Sequence, residues 1–111
     1  MKEIAFVNNQ ALKEFRTLPV EERELFETSL SSIQRNQKPF LDIDHLNTVG
    51  PGAIELKING HPAYRCIYVA KYKDVVVVLG AWEKTTNGVD KRLVETAQTR
   101  YKAMTKKFGK P

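Results

Sequence analysis

The sequence predicts an α+β domain with the order β-α-α-β-β-β-α, in which helices pack on one face of a small, mainly antiparallel sheet. Three observations carry that prediction. Val75 to Leu79 is a run of five apolar residues, four of them valines, which suits an interior strand covered on both faces. Ile54, Leu56 and Ile58 alternate with Glu55 and Lys57, the period of a half-buried strand that keeps one charged face. Apolar residues at helical spacing fill the segment before Pro39 and the segment after Asp90.

Each element has its own local reason. Glu3 to Asn8 reads as a short strand with Ile4 and Phe6 on one side. Asn8 or Asn9 caps the helix that follows, because a short amide accepts from the free N–H groups of a helix start. Ala11, Leu12, Phe15 and Leu18 form that helix's stripe, and it ends before Pro19. Pro19 suits the first turn of a second helix, where Glu21, Glu22 and Glu24 complement the helix dipole. Leu25, Phe26, Leu30 and Ile33 make the buried stripe of this helix, which fades near Asn36. Lys38 to Gly52 shows no period and holds Pro39, Gly50, Pro51 and Gly52, so it reads as a loop in which His45 is a surface or capping residue.

Three strands then occupy Ala53 to Lys84, followed by a turn over Thr85 to Gly88. Asp90 caps the last helix, with Val89 and Val94 spaced as a hydrophobic staple. Leu93, Ala97, Tyr101, Met104 and Phe108 form its stripe, while Lys91, Arg92, Arg100, Lys102, Lys106 and Lys107 decorate the other faces. The tail from Lys106 to Pro111 is expected to fray.

Composition narrows the class. One domain spanning residues 1–111 is the expectation for a chain of 111 residues. With no signal-peptide pattern and no long apolar run, a cytoplasmic protein with no membrane partner is expected. The single cysteine, Cys66, excludes an internal disulfide and a Cys-rich zinc site, and its strand position predicts a buried, inert thiol. The net charge of +5 is uneven: residues 1–54 carry six Lys/Arg against eight Asp/Glu, and residues 55–111 carry twelve against five. A basic half of this kind points to a polyanion or an acidic protein as partner.

The candidate chemistry gathers in the central strands. Lys57, Arg65 and Lys84 lie within strands or at a strand end, where side chains have set directions, and cations held close together on a sheet call for an anion such as a phosphodiester. Glu55 and Glu83 are the acids available to pair with them. Lys71 and Lys73 flank the turn between the second and third strands, where solvation is their default role. Whether Lys57 and Arg65 share a face depends on the hairpin loop between them. A two-residue Asn59-Gly60 turn pairs Lys57 with Pro62 and sends Arg65 to the opposite face. An odd loop, Asn59 to His61 with a bulge, pairs Lys57 with Ala63 and brings Arg65 to the same face. The second register also sends Tyr64, Cys66 and Tyr68 together into a core layer, and it is the register expected.

The phrases Glu55-Leu56-Lys57, Tyr64-Arg65 and Trp82-Glu83-Lys84-Thr85-Thr86, followed by a basic helix, resemble the RelE/ParE toxin superfamily, most closely its phage-derived HigB-like branch. The resemblance spans nearly the whole chain. It implies a RelE-like fold and the toxin of a bacterial type II toxin-antitoxin system. The partners it implies are an antitoxin, often of helix-turn-helix type, in a hetero-oligomer, and mRNA on the ribosome.

It further implies a ribosome-dependent endonuclease that uses the RNA's own 2′-hydroxyl as nucleophile, leaves a 2′,3′-cyclic phosphate, and needs no cofactor and no metal. In that scheme Lys57, with its pKa lowered by neighbouring cations, is the general base. Arg65 clamps the scissile phosphate, and Lys84 adds charge or protonates the leaving oxygen. Trp82 stacks on a base, with His61, Thr85 and Lys71 as further substrate-binding candidates.

Two departures from the family pattern are visible. Thr85 replaces the second lysine of a Lys-Lys pair, and no tyrosine or histidine stands free near the last helix. Two other readings of the same fold are a ParE-like gyrase inhibitor and a non-enzymatic module that docks nucleic acid or an antitoxin.

Overall fold

The structure is a computed structural model that describes residues 1–85 and 87–111. Strand β1 (Glu3–Phe6) leads into helices α1 (Asn9–Arg16) and α2 (Val20–Gln34); strands β2 (Asp42–His45), β3 (Ala53–Ile58), β4 (Ala63–Val69) and β5 (Val75–Lys84) follow, and helix α3 (Lys91–Phe108) closes the chain. The five strands form one sheet in the order β1-β5-β4-β3-β2, antiparallel except for the parallel β1/β5 pair. The α+β class and the mainly antiparallel sheet therefore hold, one of the four strand pairs being parallel. Among the described residues, no helix is long and apolar enough to cross a membrane.

The helices do not all lie on one face, and that expectation is corrected. Phe26, Leu30 and Ile33 of α2 pack with Leu56, Tyr64, Cys66, Tyr68, Val76 and Val78 on one side of the sheet. Ala97, Tyr101 and Met104 of α3 pack with Ile67, Val69, Val77 and Leu79 on the other. Helix α1 spans both layers, sending Ala11 to the α3 side and Phe15 to the α2 side. The valine run explains why: Val76, Val77, Val78 and Leu79 are all fully buried, so alternate residues of β5 need an apolar cover on each face. Cys66 is fully buried within β4, and burial pushes its thiol pKa up, as an inert core cysteine requires.

The caps behave as read. Asn8 Oδ1 accepts from Ala11 N at 2.8 Å, and Asp90 Oδ1 accepts from Leu93 N at 3.2 Å. Three local readings change. Strand β2 lies inside the stretch read as a loop and carries His45 at its end. Val89 is 78% exposed, so it makes no staple with Val94. The tail is tied rather than frayed, because Phe108 packs on Tyr72 with ring centroids 5.9 Å apart and Tyr72 donates a hydrogen bond to the Gly109 carbonyl.

Candidate functional site

The α3 face of the sheet carries a cleft of about 280 Å³. Three strands supply its floor. Because Leu56 points into the α2 core, the alternation of β3 sends Glu55 and Lys57 to the α3 side. Because Tyr64 and Cys66 do the same in β4, Arg65 joins them. Lys57 pairs directly with Arg65, and Arg65 with Trp82, so the three form one row across β3, β4 and β5. The hairpin thus has the odd-length loop that the site requires. It is longer than expected, five residues from Asn59 to Ala63 between the Ile58/Tyr64 pair, so Lys57 faces Arg65 rather than Ala63.

Strand β5 reaches the cleft by a bulge. Gly80 pairs with Ile67 and Val78 with the next residue, Tyr68, which leaves Leu79 as the extra residue. The bulge changes which side chains face α3. Before it, Val77 and Leu79 do; after it, Ala81 packs in the α2 layer while Trp82 and Lys84 line the cleft. Leu46, Ile67, Leu93 and Val94 give the cleft apolar walls beside its charged floor.

The cations differ in how they are held. Arg65 is buried, at 7% exposure, and most of its donors are spent inside the protein. Nη1 donates to the carbonyls of Ile58 at 3.2 Å and Tyr64 at 2.9 Å, Nη2 makes a long contact of 3.4 Å with Asn59 Oδ1, and Nε faces Glu55 Oε1 at 3.6 Å. It ties the β3–β4 loop to the sheet. Lys57 Nζ lies 3.0 Å from Asp44 Oδ2 of β2, so it has an acid partner there as well as its cationic strand neighbour Arg65. Lys84 is half-buried and makes no ion pair among the described residues.

Glu55 stands among these groups with its side chain only 18% exposed. Burial raises its pKa above the ordinary glutamate value, and Asp44 adds to the rise. Arg65, Lys57 and Lys84 pull in the opposite direction, and burial prevails. A carboxylate held this way is a better proton acceptor than a solvated one. Sequence reasoning placed Glu55 only as a pairing acid. The signal was present, since residues 55 and 57 of one strand share a face. Asp44 had no such signal, lying in a stretch without periodicity.

Trp82 is half-buried, with its ring packed over Gly80. His61 and Thr85 are exposed and border a second, shallower hollow behind the hairpin loop, shared with Arg65 and Lys84. Lys71 does not join either hollow: it lies in the β4–β5 connection at the far end of the strands, its stem against Gly52. Thr86 lies outside the described residues.

The mixed five-stranded sheet with its three helices is compatible with a RelE-like fold. Comparison with curated proteins finds no match to this sequence. Residues 13–102, which run from α1 into α3 and include every residue of the cleft, match the family described as phage-derived protein Gp49-like (DUF891). The chain belongs to that family, one of RelE/HigB-like toxins.

Proposed function

We propose that this chain is the toxin of a type II toxin-antitoxin pair and that its cleft cleaves mRNA on the ribosome. The observation that carries the reading is Glu55, a half-buried carboxylate with a raised pKa, set among Lys57, Arg65 and Lys84 beside an aromatic ring. In the proposed reaction Glu55 takes the proton of the 2′-hydroxyl, the 2′-oxygen forms a bond to phosphorus, and the bond from phosphorus to the 5′-oxygen breaks. The products are a 2′,3′-cyclic phosphate and a 5′-hydroxyl. Lys84, which has no carboxylate partner among the described residues, neutralises the charge that grows on the phosphoryl oxygens and donates a proton to the departing 5′-oxygen, which leaves as the hydroxyl. Arg65 fixes Glu55 and the loop. Trp82 offers a face on which a base can stack.

The partner that neutralises it is an antitoxin protein, proposed here to be of the helix-turn-helix type and to form a hetero-oligomer with it. The setting proposed for both is the cytoplasm. Inducing the full chain in growing cells and mapping RNA 5′ ends tests the reading: codon-phased cuts in translated messages are expected, and growth arrest without such cuts rejects it.

A second reading is favoured by one observation. Asp44 neutralises Lys57 and Glu55 faces Arg65, so the cleft carries less free positive charge than its cations suggest. In that reading the surface binds a partner and turns nothing over, and alanine at Lys84 weakens binding without any cleavage to abolish.

A further inference from the structure

Arg100 lies on α3 outside the cation row, and the chemistry proposed for the cleft leaves it unused. It was expected on a solvated face of its helix; instead it is 8% exposed. Its guanidinium has two partners. Nη1 and Nη2 donate to the two carboxylate oxygens of Glu14 on α1, at 2.7 and 2.8 Å, and Nη1 also donates to the main-chain oxygen of Leu79 at 2.9 Å. Leu79 is the extra residue of the β5 bulge. A bulged residue has no opposite number in the ladder, and its buried carbonyl needs a donor from elsewhere. Arg100 supplies that donor, and Glu14 supplies the charge that lets an arginine remain buried there.

The bulge decides which way the end of β5 faces. With regular alternation after Leu79, Ala81 and Glu83 would face α3, and Trp82 and Lys84 would turn to the opposite layer. A hollow bordered by Thr17, Pro19, Tyr64 and Trp82 lies on that side, so the alternative register has room for the ring. Gly80 marks where the parts converge: a Cβ there would meet the Trp82 ring, Arg100 Nη1 at 2.7 Å and Glu14 Oε1 at 3.0 Å. We propose that Arg100, held by Glu14, is a positioning residue that caps the Leu79 carbonyl and so keeps β5 in the register that turns Trp82 and Lys84 into the cleft. This role is independent of which reaction the cleft performs.

Trp82 is the only tryptophan, so its indole N–H is a single reporter of the register. The test compares the indole peak of ¹⁵N-labelled full-length protein, and acrylamide quenching of its fluorescence, in wild type, Arg100→Met, Arg100→Lys, Glu14→Gln and Met104→Ala. The last removes core volume from the same helix and serves as a control of lowered stability.

Loss of a charge-assisted hydrogen bond changes a register equilibrium by roughly 10- to 100-fold. The indole peak of Arg100→Met is therefore expected to split or move, with quenching increased well below its melting temperature. Met104→Ala should keep the wild-type peak, and Arg100→Lys, which still donates, should lie between. If Arg100→Met does not fold, Glu14→Gln is decisive: a smaller shift in the same direction supports the role, and an unchanged peak overturns it. A folded Arg100→Met with wild-type peak and quenching, or a Met104→Ala that shifts as far, also overturns it.

Discussion

Replacing Arg65 with methionine should destabilise the protein, whatever it does to activity, because this side chain is held inside the fold. The substitution removes two hydrogen bonds to main-chain carbonyls, at 2.9 and 3.2 Å, and strips Glu55 of the guanidinium 3.6 Å away. Breaking a buried ion pair by removing one partner costs about 3–5 kcal/mol. Glu55 keeps some solvent contact and 3.6 Å is a long separation, so the lower end, about 3 kcal/mol, is the expected loss. For a chain of this length that lowers the melting midpoint by about 10 °C. Urea unfolding followed by circular dichroism measures it directly. The double variant Glu55→Gln/Arg65→Met should recover about 1 kcal/mol of the loss, since the stranded carboxylate is gone. An Arg65→Met protein within about 0.5 kcal/mol of wild type would refute this structural assignment.

Three further outcomes follow from the same geometry. Burial raises the Glu55 pKa, so its ionised form costs the folded state stability above that pKa, and the cost fades as the pH falls through the raised pKa toward the unfolded value. Glu55→Gln should therefore be more stable than wild type at neutral pH and lose that advantage near pH 4.5, the ordinary glutamate value; a pH-independent difference contradicts this. Ser29 Oγ is fully buried on α2 with no hydrogen-bond partner among the described residues. Ser29→Ala should raise stability by about 1 kcal/mol, and an equal loss in urea unfolding would show that the hydroxyl has a partner. Gly80→Ala drives a methyl into the Trp82 ring and Arg100, and should cost about 2–3 kcal/mol while displacing the indole signal.

Much of the fold was legible because it rests on patterns that one strand or helix carries alone. The alternation in β3, the valine run in β5 and the capping residues Asn8 and Asp90 are of this kind. The valine run also held the information that the one-face arrangement missed, since a strand buried on both sides requires cover on both sides. Strand β2 was not legible: Asp42, Ile43, Asp44 and His45 are all exposed, and the segment is a strand only because β3 offers it an edge.

The site divides in the same way. Lys57 and Arg65 came together once the loop length was constrained to be odd, and Glu55 follows from Lys57 by parity. The direction of Trp82 and Lys84 depends on a bulge stabilised by Arg100 and Glu14, residues 86 positions apart, and no local pattern reports it. A basic residue on a helix otherwise reads as solvated, which is why Arg100 was missed.

The central claim is that the cleft cuts RNA with Glu55 as proton acceptor and Lys84 as the cation that meets the phosphate and the departing oxygen. The most direct measurement is single-turnover cleavage of a ribosome-bound message by purified wild-type protein, Glu55→Gln and Lys84→Ala, each shown to be folded. Wild type should cut and leave 2′,3′-cyclic phosphate ends, with Glu55→Gln slower by about 10²–10⁴-fold and Lys84→Ala similarly impaired. Cleavage by Glu55→Gln at the wild-type rate, or no cleavage by a wild-type protein that still arrests growth, would contradict it.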